Sequence, residues 1–174
     1  MAGDKTAHRD LVRHHKDFAF TIAYRILNNR QEAEEAAQDA FMQAFAALKD
    51  FNRTAKFTTW FYRIVFNAAL MAKRRHRPIE TITESHALAF SVMDTTRSLQ
   101  NQERTAQIQE ALAKLSADDV TMITLFYLKE FSLEEMAGIT AISSDTIKVK
   151  LHRARKRLAQ ALRLQLGEEV KNLY

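Results

Sequence analysis

The chain has no cysteine, and only three glycines and one proline among its 174 residues. Without cysteine there is no disulfide, no thiol nucleophile and no thiolate metal site, which suits a reducing compartment. With so little Gly and Pro, tight turns are scarce and long helices are favoured. No run approaches the ~18 consecutive apolar residues of a membrane span. Residues 1–13 are too polar for a secretory signal. A cytoplasmic protein without membrane contact of its own is expected. HExxH, Gly-rich phosphate loops and paired-carboxylate patterns are also missing. His8, His14, His15, His76, His86 and His152 are scattered. These absences argue against an enzyme and against a bound metal or cofactor.

What is present is apolar residue in quantity and charge in an uneven pattern. Apolar residues make up 47% of the chain, enough for a packed core. The net charge is +5. Residues 1–77 hold 14 Lys/Arg against 8 Asp/Glu, residues 78–104 hold 2 against 4, and residues 105–174 hold 10 against 9. Six bases and no acid lie between Lys148 and Arg157. Two basic patches flanking an acidic connector suit a bipartite binder of polyanions. A solvated helix face accounts equally well for either patch taken alone.

Periodicity predicts an all-α chain. Residues 8–28 form a first helix with Leu11, His15, Phe18, Ile22 and Ile26 on one face. Asn29 caps a second helix over 30–49, with Glu32 three residues on. Its start carries Glu32, Glu34, Glu35, Gln38 and Asp39. These acids suit the helix dipole, and they also make an acidic patch fit for a protein partner. Residues 50–56 form a loop, and a third helix runs from about 54 to 76. It carries Trp60, Ile64, Ala68 and Met71 on its expected core side, with Arg63, Asn67 and Arg74 on an adjoining stripe. Tyr62 and Phe66 lie beyond, and some rings are expected to stay exposed. The stretch 51–77 holds six aromatics and ends in Lys73, Arg74, Arg75 and Arg77. Rings that stack on unpaired bases, beside cations that follow phosphates, suit nucleic acid. An ordinary amphipathic core helix with a charged end is the alternative.

Pro78 ends a first domain. Residues 78–104 lack periodicity and read as a flexible linker between two small helical domains. The second domain, 105–166, opens with helices at 105–115 and about 117–130, the latter capped by Ser116. Ser132 and Glu135 form a capping box for a short helix through Ile139. Thr140-Ala141-Ile142 is a turn, and Ser143 caps a final helix over 144–166. A short helix, a turn and a long basic helix make the sequence form of a helix-turn-helix. On the last helix Ile147, Leu151, Ala154 and Leu158 share one face. Asp145, Val149, His152, Arg153 and Lys156 fall opposite, flanked by Lys148 and Lys150, where they could reach base edges and phosphates.

Together the two halves resemble bacterial RNA polymerase sigma factors of the sigma-70 family, in the group-four, extracytoplasmic-function (ECF) subfamily. EAEEAAQDAF at 32–41 resembles the segment that binds core polymerase. FNRTAKFTTWFYRIVFNAA at 51–69 resembles the promoter-melting segment. LSADDVTMITLFYLKEFSLEEMAGITAISSDTIKVKLHRARKRL at 115–158 resembles the domain that reads the minus-thirty-five element. The resemblance implies that Glu34, Glu35, Gln38 and Asp39 dock on the polymerase clamp helices. It implies that the loop of Asn52, Arg53, Thr54, Ala55, Lys56 and Phe57 captures a flipped-out base of the minus-ten element. Trp60, Arg63, Asn67 and Arg74 follow on the same DNA-facing helix. Lys148, Val149, His152 and Arg153 are implied readers of the minus-thirty-five element, with Ser144, Thr146 and Lys156 beside them, and Arg155 and Arg157 as backbone contacts. The resemblance further implies core RNA polymerase, promoter DNA and an anti-sigma factor as partners, and a linker threaded through polymerase.

Five residues depart from the family pattern, among them Val149, which stands where a polar base reader is frequent. Arg53 and Ala141 stand where glycine is usual. Ala36 and Ala37 replace larger aliphatics, which predicts a shallower contact with core polymerase. A sigma factor that directs polymerase to promoters and assists melting is the function expected. A stand-alone helix-turn-helix regulator with an N-terminal effector or dimerisation domain is the alternative.

Overall fold

The computed structural model describes residues 5–75 and 99–166; most of the predicted linker lies outside them. The described residues form seven α-helices and one 3-10 turn, without strands. The first three are α1 (Lys5–Leu27), α2 (Arg30–Ala47) and α3 (Phe57–Arg75), with the 3-10 turn Leu48–Asp50 after α2. Then come α4 (Leu99–Ala113), α5 (Ala117–Leu128), α6 (Leu133–Thr140) and α7 (Ser144–Leu166). The helix predicted from residue 105 thus begins six residues earlier, inside the segment read as linker. The third helix begins at Phe57, not at 54, because residues 53–55 form a bend.

Polar caps set most of these boundaries. Asn29 accepts a hydrogen bond from the Glu32 amide (3.1 Å), and Ser116 accepts one from the Asp119 amide (3.2 Å). At Ser132 the capping box is reciprocal: Ser132 Oγ accepts from the Glu135 amide (3.2 Å), and Glu135 Oε2 accepts from the Ser132 amide (2.9 Å). Each satisfies amides that a helix start leaves unpaired, an effect worth about 1 kcal/mol.

Helices α1, α2 and α3 pack against one another in all three pairings. α1 contributes Phe18, Ala19, Ile22, Ala23 and Ile26. α2 contributes a stripe of alanines, Ala33, Ala36, Ala37, Ala40 and Ala44, with Phe41. Such small residues let helix axes approach closely. Ala36 and Ala37 therefore face the helix packing. α3 buries Phe61, Tyr62, Val65, Phe66, Ala68 and Ala69. That stripe is rotated from the predicted one. Trp60 and Ile64 sit at the margin, and Met71 is 51% exposed.

α4, α5 and α6 each pack on α7, which presents Ile147, Leu151 and Ala154 to them. α5 is buried almost all round, with every residue from Asp119 to Leu125 inaccessible. The reason is that it has neighbours on two sides: α7 on one and α1 on the other. α6 likewise rests on α3. The two halves thus share one continuous apolar cluster running from Phe18 and Tyr62 to Phe131, Met136 and Leu151.

Candidate nucleic-acid and polymerase surfaces

The outward face of α2 carries Glu34, Glu35, Gln38 and Asp39, all exposed. They occupy this face because the alanine stripe takes the other. Arg30 Nε donates to Glu34 Oε1 (2.9 Å) and Gln31 Nε2 to Glu35 Oε1 (3.2 Å), both at i,i+4 spacing. Gln38 and Asp39 follow one turn on, and Met42, 68% exposed, extends the same face with an apolar side chain.

The loop between α2 and α3 is held at its base by rings. Phe51 lies 4.9 Å from Trp60 and 5.8 Å from Phe57, and Phe57 lies 5.5 Å from Trp60. Asn52 shapes the tip: its Oδ1 accepts from the Thr54 amide (3.2 Å) and from Thr54 Oγ1 (2.8 Å). Arg53 has φ +59°. This is the left-handed region that favours glycine, so the backbone keeps a glycine-like turn although arginine fills it. Asn52 through Lys56 are exposed, and Phe57 and Trp60 are half-buried. Arg63, Asn67 and Arg74 are exposed along α3. Tyr62 and Phe66, which lie beyond that stripe, are buried. Burial pushes the Tyr62 phenol well above its usual range. It therefore stays protonated, and its hydroxyl shares a hydrogen bond with His15 Nδ1 (2.7 Å).

In the second half, α6, the turn and α7 form the predicted helix-turn-helix. Ala141 takes φ +57°, ψ +28°, and its amide donates to the Ala137 carbonyl (2.9 Å). This left-handed cap ends α6 where glycine is the easier residue. Ser143 Oγ accepts from the Thr146 amide (3.4 Å) and opens α7. Thr146, Lys148, His152, Arg153 and Lys156 are exposed, Val149 is 49% exposed, and Ser144 is partly covered. One helix face thus offers two readers flanked by cations, around a valine able to meet a thymine methyl.

Two of the basic residues at its end are committed within the fold. Arg157 grips Asp119 with two hydrogen bonds, Nε to Oδ2 (2.7 Å) and Nη2 to Oδ1 (2.5 Å). Burial alone would raise the Asp119 carboxyl. The bonds from Arg157 and Ser116, with the Arg157 charge, outweigh that and hold it below its usual value. Arg155 lies over the rings of Phe126 (4.8 Å) and Tyr127 (5.4 Å). Behind these residues an apolar groove of about 700 Å³ opens between α4, α5 and α7, lined among others by Ile108, Leu112, Tyr127 and Leu162.

The family pattern Sigma-70 region 2 matches residues 11–79, and Sigma-70, region 4 matches residues 105–158. The ECF RNA polymerase sigma factor SigW of Bacillus subtilis (strain 168) is 35% identical over 92% of this chain and 91% of its own length. The chain belongs to the ECF RNA polymerase sigma factors. A second relative, the RNA polymerase sigma-H factor of Pseudomonas aeruginosa, is 30% identical over 95% of this chain and 91% of its own length. Among solved structures, the sigma factor RpoE of Bartonella quintana, in complex with the anti-sigma factor NepR, aligns with a TM-score of 0.64. Identity there is 26%, with 89% of this chain and 96% of that one covered. A sigma factor directs RNA polymerase to promoters, and two sigma regions in one chain do not favour a stand-alone regulator. Sigma factors as a family are not enzymes. No described helix is long and apolar enough to cross a membrane.

Sequence reasoning missed the committed roles of Asp119, Arg157 and Arg155, and the residues by which the halves meet. One signal was available. Residues 120–126 are apolar or threonine throughout, and a helix without a polar face is covered on both sides.

Proposed function

We propose that this sigma factor divides promoter work between its halves as follows. Glu34, Glu35, Gln38 and Asp39 dock on core RNA polymerase. The loop Asn52–Phe57, with Trp60, Arg63, Asn67 and Arg74, captures unpaired bases of the minus-ten element. Ser144, Thr146, Lys148, Val149, His152, Arg153 and Lys156 contact the minus-thirty-five duplex. Arg155 and Arg157 steady the recognition helix from behind, with any phosphate contact secondary. The observation that carries this reading is the sorting of each helix. On α2, α3 and α7 alike, the apolar stripe is buried, while Glu34, Glu35, Gln38, Asp39, Arg63, Asn67, Arg74, Lys148, His152, Arg153 and Lys156 are exposed.

Melting on this account is a trapping reaction. Each unstacked base costs a few kcal/mol, and stacking on a ring returns about 1–3 kcal/mol per base. Phosphoryl transfer belongs to the polymerase, and the chain contributes no catalytic group. The protein works in the cytoplasm, with no cofactor, and an anti-sigma factor restrains it, as NepR is found with the Bartonella sigma factor. The test is transcription in vitro with core polymerase on genomic templates. Promoter-specific transcripts that depend on this chain are expected, and none at any template would refute the proposal. A gel shift of the protein alone separates the regulator alternative, which requires tight duplex binding without polymerase.

A further inference from the structure

We propose that the apolar groove between α4, α5 and α7 is the docking site of this chain's own segment 167–174, GEEVKNLY, which follows α7 directly and folds back along it.

The groove has an apolar floor and open sides. Leu112 and Ile123 are buried at its base, while Ile108 on α4 is 47% exposed and Tyr127 on α5 is 55% exposed. A connected apolar surface of this kind on a folded protein marks a place where something binds. The α7 wall sets the charge of the occupant. His152, Arg155, Lys156 and Arg163 line it, and none of the described residues lining the groove is acidic. An occupant with carboxylates beside apolar side chains fits such a wall. A second copy presenting the same groove does not, because two basic walls would then face each other.

The segment has that composition in a usable order. Glu168 and Glu169 come first, and Val170, Leu173 and Tyr174 follow at three- and four-residue steps. Gly167 stands one residue past α7. There a left-handed glycine reverses a chain that leaves a helix. Length suffices: eight extended residues reach up to about 26 Å, and Leu166 lies roughly 16 Å along the helix from Arg155. The acids fall beside Arg163, and the apolar side chains fall over Leu162, Ile108 and Tyr127. The end of α7 is fixed against α4, because Gln165 Nε2 donates to Glu110 Oε2 (2.6 Å). Gln165 Oε1 is inaccessible and has no donor among the described residues. A buried acceptor without a donor is costly, and a backbone amide of the returning segment supplies one.

A spin label tests this on the full chain, because the chain has no native cysteine to compete for it. A nitroxide on Asn172→Cys keeps Val170, Leu173 and Tyr174 in place. In methyl NMR it should erase most of the intensity of Ile108, Leu112 and Leu162, and leave Ala33 and Ala40 on α2 unchanged. Adding Glu168→Lys and Glu169→Lys to the labelled chain should return the groove signals. Groove signals untouched by the label would overturn the proposal. So would loss that appears only when the labelled chain is mixed with a separate, isotope-enriched one, since the occupant would then be a second copy. Anilinonaphthalene sulfonate, an anionic aromatic dye that reports exposed apolar surface, gives the second readout. It should bind a variant ending at Leu166, of unchanged helicity, several-fold more tightly than the full chain, and Ile108→Glu should remove the gain. Equal binding by the two chains would mean a groove open to a separate partner, and would overturn the assignment. Neither measurement uses polymerase or DNA, so its outcome is independent of the sigma reading.

Discussion

α3 and α7 are the two basic, DNA-directed helices of this molecule, and their surroundings differ. α7 leaves its reading face exposed at Lys148, Val149, His152 and Arg153, and its own commitments, Arg155 on Phe126 and Arg157 on Asp119, stay within the second half. α3 leaves free Arg63, Asn67, Met71 and its basic end Lys73, Arg74 and Arg75, while Tyr62 and Phe66 are buried and Lys56 before it pairs with Glu135. The difference follows from what each helix reads. A duplex reader needs an outward face of polar side chains, which water solvates without cost. A melting surface needs rings, and exposed rings in a free protein are a standing apolar patch. Tyr62 is instead enclosed by His15, Phe18 and Phe61 of its own half, with Phe131 of the second half against it.

The largest effect that could break this comparison lies on α7. Arg153→Ala and Lys148→Ala should each weaken transcription from a promoter dependent on the minus-thirty-five element. A base-edge contact worth about 1–3 kcal/mol corresponds to roughly five- to 150-fold. Neither should alter the melting temperature, since both side chains are exposed. Next comes the structural pair behind them. Asp119→Ala and Arg157→Ala should each lower the thermal stability of the second half, and the double variant should lose little more than either single one, as expected of direct partners. Calorimetry on the full chain decides it, and additive losses would show that the bidentate pair is unimportant.

Two smaller effects compare the halves on equal terms. Arg53 and Ala141 both hold left-handed backbone, one beside each DNA-directed helix. Arg53→Gly and Ala141→Gly should each stabilise the fold by up to about 1 kcal/mol, read as a shift in denaturation midpoint. Promoter choice should change only for Arg53→Gly, whose side chain stands in the base-capturing loop. The smallest effect is on pH. His15 is held below its ordinary value first by burial, then by the charge of Lys129 across the junction and by His14. Its proton is therefore bound more tightly when the packing loosens. The stability it lends is complete above about pH 6.5 and falls as pH drops through and below that value. Glu135, held low by Lys56 and by the Ser132 amide, keeps its contribution above the usual carboxylate range and loses it as pH falls through and below that range. Fluorescence transfer between labels on Gln43 and Gln160 should report an opening that starts near pH 6.5, and a flat response would remove His15 from the junction.

Much of this was legible beforehand because it is local. Caps at Asn29, Ser116, Ser132 and Ser143 are written in four-residue patterns, and so was the outward face of α7, where the 3.6-residue period is clean. α3 was harder. Apolar residues nearly encircle it, so periodicity could not say which stripe was core, and Met71 was put inside when Val65 belonged there. Nothing in α3 alone could show that Phe131 of another domain would pack against Tyr62. Phe131 stands more than 65 residues away, and no local rule connects them.

The central claim is that one half reads duplex and the other traps unpaired bases. Transcription from matched templates, fully paired or with the minus-ten region already opened by mismatches, tests it most directly. The Arg63→Ala and Asn67→Ala variants should be defective on paired DNA and recover substantially on the opened template. The Arg153→Ala defect should persist on both. Equal rescue of all three, or rescue of Arg153→Ala alone, would contradict the division of labour.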